Sequence, residues 1–281
     1  MTVTRFAPSP TGYLHLGHAY SALFAENAAR REGGTFLLRI EDIDPGRCKP
    51  EFIPAIEEDL HWLGLAWPEP ARRQSQHMED YADALAKLRG QGVLYPCFCT
   101  RKEVAAEAAA AGHAPHASEF GPPYPGTCRN LSQAERDERL QKTGPANWRL
   151  DTGKALGITG KLHWHDRGKG TIEAKPQDLG DVVLARKDIS TSYHLSVTVD
   201  DHLQGITLVT RGEDLFRSTD IHRLLQALLG YEVPDYHHHP LITDAAGQRY
   251  AKRDNASTLK KLREKGISAG EIREMIGINH R

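Results

Sequence analysis

The first forty residues constrain the fold most. Thr2–Ala7 is a short run of strand formers, and Pro8, Pro10 and Gly12 make a turn directly after it. From Gly17 to Arg31 the pattern is helical, with Leu16, Tyr20, Leu23, Phe24 and Asn27–Ala28 on repeating turns. Thr35–Ile40 is a second strand, bounded by Gly33-Gly34 and by the turn Pro45-Gly46. Two strands joined through one helix with short connections predict a parallel α/β sheet. The rhythm continues with helices over Pro54–Leu63 and Glu79–Leu88, each followed by glycine. It breaks after Leu94 and resumes with a strand over Gly205–Thr210, a helix over Ser218–Leu229 capped by Gly230, and a strand over Tyr236–Thr243. A loop, Asp244–Arg253, then leads to two short helices.

The interruption at 95–191 holds three cysteines, an alanine run and turn-rich connections, and reads as an insertion. The expected organisation is therefore 1–94 and 192–254 as two halves of one catalytic domain, 95–191 as the insertion, and 255–281 as a helical tail. A chain of 281 residues with 39% hydrophobic and 26% charged residues can bury the core this needs. Met1–Pro10 carries no apolar leader pattern, and no window approaches eighteen apolar residues, so a cytoplasmic protein without a membrane contact is expected.

The formal net charge of -1 gives no overall support to nucleic-acid binding. Residues 249–265 differ: seven Lys or Arg face only Asp254 and Glu264, a local +5 that suits phosphates. The stretch His15-Leu16-Gly17-His18 opens the first helix directly after the first strand. A helix start offers N–H groups and partial positive charge to a phosphate, and two imidazoles three residues apart can add donors. Neither a GxxxxGK[ST] nor a GxGxxG loop is present. Lys252, in Gly247–Arg253, is a flexible point charge that can close onto a triphosphate held there.

Three charged residues fall at the ends of expected strands, where α/β proteins bind ligands: Arg5, Glu41 and Arg211. Cys97, Cys99 and Cys128 are a metal signature in a reducing compartment, with His113 or His116 as ordinary fourth ligands of a structural Zn²⁺. Cys48 stands apart, without an assigned role. His237-His238-His239 reads as the start of a strand and as surface, because neighbouring strand residues point to opposite faces.

His15–His18 and Lys252 together resemble the two signatures of class I aminoacyl-tRNA synthetases, although Arg249, Tyr250, Ala251 and Arg253 depart from the lysine-loop consensus. Arg5–Gly12, Arg39–Asp44 and Thr210–Leu215 look like the glutamyl-tRNA synthetase branch, and the likeness runs in order along nearly the whole chain. It implies a Rossmann-type sheet with a zinc-containing α+β insertion and catalysis by His15, His18 and Lys252. It also implies ATP, with Mg²⁺, held by Pro8, His15, Gly17, His18 and Lys252. Glutamate would lie among Arg5, Phe6, Ala7, Pro8, Ser9, Glu41, Tyr193 and Arg211. The chain ends 28 residues after Arg253, so no anticodon-binding domain is expected. Short relatives of this kind resemble the glutamyl-queuosine branch, which implies a monomer acting on tRNA(Asp) bearing queuosine. That branch also points to Tyr124 as the fourth zinc ligand, beside Cys97, Cys99 and Cys128.

Overall fold

The computed structural model describes residues 1–110, 124–242 and 258–278. Its strands are β1 (Val3–Phe6), β2 (Thr35–Ile40), β3 (Arg72–Arg73), β4 (Leu94–Cys97), β5 (Asn147–Leu150), β6 (His163–Asp166), β7 (Gly170–Glu173), β8 (Val183–Ala185), β9 (Leu208–Gly212) and β10 (Asp235–His239). β1, β2 and β3 pair in parallel, as do β9 and β10. The Thr207 amide donates to the Val3 carbonyl at 3.0 Å, which joins β1 to β9. The strand order is therefore β3-β2-β1-β9-β10-β6, with β7 completing an antiparallel hairpin on β6. The chain moves outward in one direction from β1 and in the other from β9. A crevice opens where the order reverses, above the carboxyl ends of these two strands, and such crevices are where open α/β sheets bind ligands.

The helix Leu16–Arg31 lies on this sheet through Leu16, Ala19, Ala22, Leu23, Ala25 and Ala29, all buried. Four of these six are alanines, so backbone and sheet come close, and the Thr4 hydroxyl reaches the Ala25 carbonyl at 2.9 Å. A second helix, Tyr193–Leu203, packs against β8 and is buried along most of its length. Helix Ser218–Leu229 follows β9 and ends on Gly230 at φ +72, the left-handed cap expected there. A separate antiparallel sheet, β4-β5-β8, carries the cysteine cluster on its edge. β6 also falls within 95–191, yet it pairs with β10 through Tyr236 and Asp166, so that stretch contributes a strand to the central sheet.

Three sequence expectations need correction. Gly205 does not begin a strand: at φ +61 it closes the helix Tyr193–Leu203, and its amide meets the His202 carbonyl at 3.0 Å. β9 starts at Leu208 and runs to Gly212, so Arg211 lies inside the strand. The last strand is shorter than Tyr236–Thr243 because Pro240 has no amide proton for the ladder. His238 and His239 are buried, not surface, since His239 packs against Tyr20 and Phe24 and His238 against Trp164 and Phe216. Thr243 and the loop Asp244–Arg253 lie outside the described residues.

Candidate active site

His15 is the N-cap of helix Leu16–Arg31 in extended conformation. Its Nδ1 accepts the Gly17 amide at 3.1 Å, and His18 Nδ1 accepts the His15 amide at 3.2 Å. The two rings close a reciprocal cap at the helix start, with centroids 3.8 Å apart. Because each Nδ1 accepts from the main chain, each neutral ring carries its proton on Nε2, the atom that can donate to a phosphate. A Cβ on Gly17 would come within 2.9 Å of the His15 ring, so the glycine makes room for the cap. The chain that follows the lysine loop returns to this point: Thr258 pairs with His15, and the Leu259 amide meets the Leu14 carbonyl at 2.8 Å.

A buried ion lattice lies beside this helix start. Arg5 donates through Nε to Asp201 at 2.9 Å and through Nη1 to the Thr210 carbonyl at 3.1 Å. Arg39, fully buried, reaches Asp201 at 2.8 Å and Glu41 at 3.1 Å. Asp200, next on the same helix, accepts from Arg72, Gln74 and Tyr81. Every cation here has a carboxylate, as buried charges require. The Glu41 amide bonds the Pro8 carbonyl at 3.0 Å, which lays the Pro8–Ser9 turn along the Glu41 strand end. Burial pushes the Glu41 carboxyl above its ordinary range, against the pull of Arg39 and Arg5. An ammonium ligand beside it would favour the ionised form.

Arg211 is different. It is 6% exposed, and four of its five N–H groups are met by neutral partners. Nε donates to His238 Nε2 at 3.2 Å; Nη1 donates to the Tyr193 hydroxyl and to His222 Nδ1, both at 3.2 Å; Nη2 donates to the Thr219 hydroxyl at 2.6 Å. No carboxylate pairs with it among the described residues. A buried cation without an anion is costly in isolation, by several kcal/mol. Arg5 reaches the carbonyl of Thr210, the residue before Arg211, and Asp201 links Arg5 to Arg39 and through it to Glu41, so Arg5, Glu41 and Arg211 belong to one connected cluster. Phe6 ends β1 with its ring 6.5 Å from that of His18, and Ala7 and Ser9 are half-buried next to it.

The thiols of Cys97, Cys99 and Cys128 lie within 4.8 Å of one another. Cys99 Sγ is 3.3 Å from the Tyr124 hydroxyl and 3.5 Å from Cys128 Sγ. Four ligand atoms at about 2.0–2.3 Å from a tetrahedral Zn²⁺ stand roughly 3.5–3.8 Å from one another, so this spacing fits the ion. Without a metal, burial pushes Cys99 up to about 12 and raises Tyr124 as well. A divalent cation reverses that preference. Arg149 stacks on the Tyr124 ring at 3.9 Å, and Cys97 and Cys128 are fully buried. His113, His116, Lys252, Arg249 and Arg253 lie outside the described residues.

Sequence reasoning missed Arg39, Asp201, His222 and His238, which hold the residues it found. Asp200-Asp201, directly after the alternating apolar residues Leu195, Val197 and Val199, was the available signal, since acids on a buried helix need cations.

A profile of the tRNA synthetases class I (E and Q), catalytic domain, matches residues 1–277. The chain belongs to the class I tRNA synthetases. Among proteins of this family, the Glutamyl-Q tRNA(Asp) synthetase of Rhodobacter capsulatus is 48% identical over 98% of this chain and 100% of its own length. One of the same name from Nitratidesulfovibrio vulgaris is 42% identical over 95% of this chain and 83% of its own. The Glutamate--tRNA ligase of Coprothermobacter proteolyticus is 41% identical, and this chain spans 55% of it. The solved glutamate-tRNA synthetase of Elizabethkingia anophelis superposes with a TM-score of 0.82 at 28% identity, covering 99% of this chain and 61% of that one. As a class I tRNA synthetase the chain is a ligase.

Proposed function

We propose that this enzyme activates glutamate with ATP, without tRNA, and transfers the glutamyl group to the queuosine base in the anticodon loop of tRNA(Asp). One observation carries the first half: Arg211, on the strand β9 that lies next to β1, is a buried cation with no carboxylate partner among the described residues. The side-chain carboxylate of glutamate supplies the missing charge, with Arg5 and Tyr193 nearby. Glutamine, with a neutral amide, leaves Arg211 uncompensated. Glu41 and Ser9 hold the ammonium, and the turn Phe6-Ala7-Pro8 forms the wall.

The α-carboxylate is then free to act as nucleophile. Its oxygen forms a bond to the α-phosphorus, the bond to the bridging oxygen breaks, and pyrophosphate leaves with the electron pair. No general base is needed. Rate comes from positioning and from donors aimed at the phosphates. His15 and His18 supply them through Nε2, and Lys252 adds a charge. Mg²⁺ enters with ATP and neutralises phosphate charge. The second half of the reading is supported by the names of the two relatives that this chain matches over most of their length, both Glutamyl-Q tRNA(Asp) synthetases. The reaction belongs to the cytoplasm, where tRNA is, and its residues all come from one chain, so a monomer suffices.

The test is ATP–pyrophosphate exchange across all amino acids. Glutamate alone should support it, in the absence of tRNA; a strict requirement for tRNA would overturn the reading. Labelled glutamate should then pass to tRNA(Asp) that carries queuosine and not to the same tRNA without it. Transfer to the 3′ end of tRNA(Glu) instead would assign the charging reaction named in the longer relatives.

The pH dependence follows from Glu41. Its carboxyl is raised above the ordinary range, and it must ionise to hold an ammonium. KM for glutamate should rise as pH falls, starting above the usual carboxylate pKa of about 4.3. Glu41→Gln should raise KM at neutral pH and flatten that acidic limb; an unchanged profile in this variant would remove Glu41 from the ammonium site.

Cys97, Cys99, Tyr124 and Cys128 would hold one structural Zn²⁺ that staples the cysteine sheet edge. The purified enzyme should contain one equivalent by atomic emission. Cys128→Ser should lose most of it and melt lower by about 2 °C or more, as a loss of 1 kcal/mol or more produces in a chain of this size. A metal-free preparation with full thermal stability would exclude the site.

A further inference from the structure

Beside Tyr193, Arg211 is held by His238, His222 and Thr219, which have no part in the chemistry above. His238 and His222 are both buried and both accept from its guanidinium, at 3.2 Å each. An arginine can only donate, so the accepting ring nitrogen of each histidine is unprotonated. For His238 that atom is Nε2, and the ring proton therefore sits on Nδ1, 2.7 Å from Asp166 Oδ2. For His222 the accepting atom is Nδ1, and the proton on Nε2 points to His194 Nδ1 at 3.2 Å. Thr219 fits the same pattern: its hydroxyl accepts from Arg211 at 2.6 Å and lies 3.3 Å from His238 Nε2.

Asp166 is itself fixed. Its Oδ1 accepts the amides of Gly168 and Lys169 at 2.9 and 3.0 Å, and its Oδ2 accepts the His238 amide at 3.1 Å. Its side chain and that of His238 are wholly inaccessible. The carboxylate sits one ring away from Arg211 instead of against it. It fixes the imidazole tautomer without cancelling the guanidinium charge directly. The contrast with Arg5 and Arg39, each bonded to Asp201, is plain in the same site.

We infer that His238, braced by Asp166, and His222, braced by His194, are positioning residues that aim Arg211 at the substrate carboxylate while leaving its charge without a direct anion. The inference rests on the reading that Arg211 binds glutamate.

The two histidines use opposite ring nitrogens, which gives a test that a merely structural role does not pass. The amide oxygen of glutamine can reach the place of Nε2, and that of asparagine the place of Nδ1. At 238, His238→Gln keeps the acceptor for Arg211, whereas His238→Asn keeps only the donor to Asp166. At 222 the order reverses: His222→Asn keeps the acceptor and His222→Gln loses it. In glutamate-dependent ATP–pyrophosphate exchange, His238→Asn and His222→Gln should raise KM for glutamate about tenfold or more, as loss of a bond to a charged group does. His238→Gln and His222→Asn should stay within about threefold, and KM for ATP should not move in any of the four.

Melting temperatures are measured on the same samples. If a 238 variant fails to fold, the 222 pair decides alone, and the reverse holds too. Equal effects of Asn and Gln at both positions, or parallel rises in KM for glutamate and ATP, would overturn the inference. If the wild type shows no glutamate-dependent exchange, the reading of the site fails and this inference with it. If Arg211→Gln abolishes exchange while none of the four histidine variants shifts KM for glutamate, this inference alone fails.

Discussion

Arg211→Met should lower kcat/KM for glutamate in pyrophosphate exchange by about a thousandfold, since removing one member of a buried charge pair costs 3–5 kcal/mol. The pair forms only when substrate is bound, so the loss falls on substrate and not on the empty protein. In the ligand-free enzyme Arg211 meets His238, Tyr193, His222 and Thr219, all neutral. Four hydrogen bonds offset the desolvation of the guanidinium, with no carboxylate among the described residues to complete it. The variant should therefore fold, and its thermal stability should change little beside its activity. A second reading comes from ligand stabilisation. Saturating glutamate should raise the melting temperature of the wild type, by about 2.7 kcal/mol of stability at a hundredfold excess over Kd. It should leave Arg211→Met unmoved. If glutamate stabilised the variant as well as the wild type, the carboxylate would have to bind elsewhere. Arg211→Lys is a stricter form of the same test: an ammonium keeps the charge but, lacking the planar fork, cannot satisfy two hydroxyls, two rings and a carboxylate. It too should lose most activity.

This dependence on unlike partners explains what the sequence could and could not reveal. The strand–helix–strand opening was legible because the spacing of its apolar residues and its glycines follows from local geometry. The helix start at His15–His18 was legible for the same reason, since a cap acts over three residues. Arg5, Glu41 and Arg211 were reachable because strand ends in a parallel sheet face one crevice. Their supports were not. Asp201 joins Arg5 to Arg39 across 196 and 162 residues of chain, and Asp166 meets His238 across 72. Nothing in a linear pattern distinguishes such pairs from surface charges. His237-His238-His239 shows the limit well. Alternation along the strand was a sound rule for facing, but it could not say that β6, from within the interruption, would pair with the edge of β10, nor that Tyr20 and Phe24 would cover His239 and Trp164 and Phe216 would cover His238. Gly205 failed for a different reason: a glycine between a helix and a strand can belong to either, and the left-handed cap took it.

His15→Asn should cut kcat in pyrophosphate exchange about a hundredfold while leaving the melting temperature within about 2 °C of the wild type. The substitution separates two roles that the imidazole combines. Asn is among the best N-cap residues, and its Oδ1 can stand where Nδ1 accepts the Gly17 amide at 3.1 Å. The helix start is preserved, but the donor at Nε2 is gone. His15→Ala removes both, so it should lose a further 1 kcal/mol or so of stability on top of the same catalytic defect. The same logic applies at 18, where Nδ1 accepts the His15 amide at 3.2 Å: His18→Asn keeps the reciprocal bond and loses the outward donor. Gly17→Ala approaches the site from the other side. It keeps both rings but puts a methyl within 2.9 Å of His15, so the ring must tilt and its Nε2 moves off the phosphates. If the Asn variants retained wild-type kcat, the two histidines would be caps and nothing more, and charge stabilisation at the triphosphate would fall to Lys252 and the helix amides. Loss of activity in all three, with the fold intact in the Asn pair, ties the rate to the outward ring nitrogens, because those are the atoms that the Asn pair removes and that Gly17→Ala displaces.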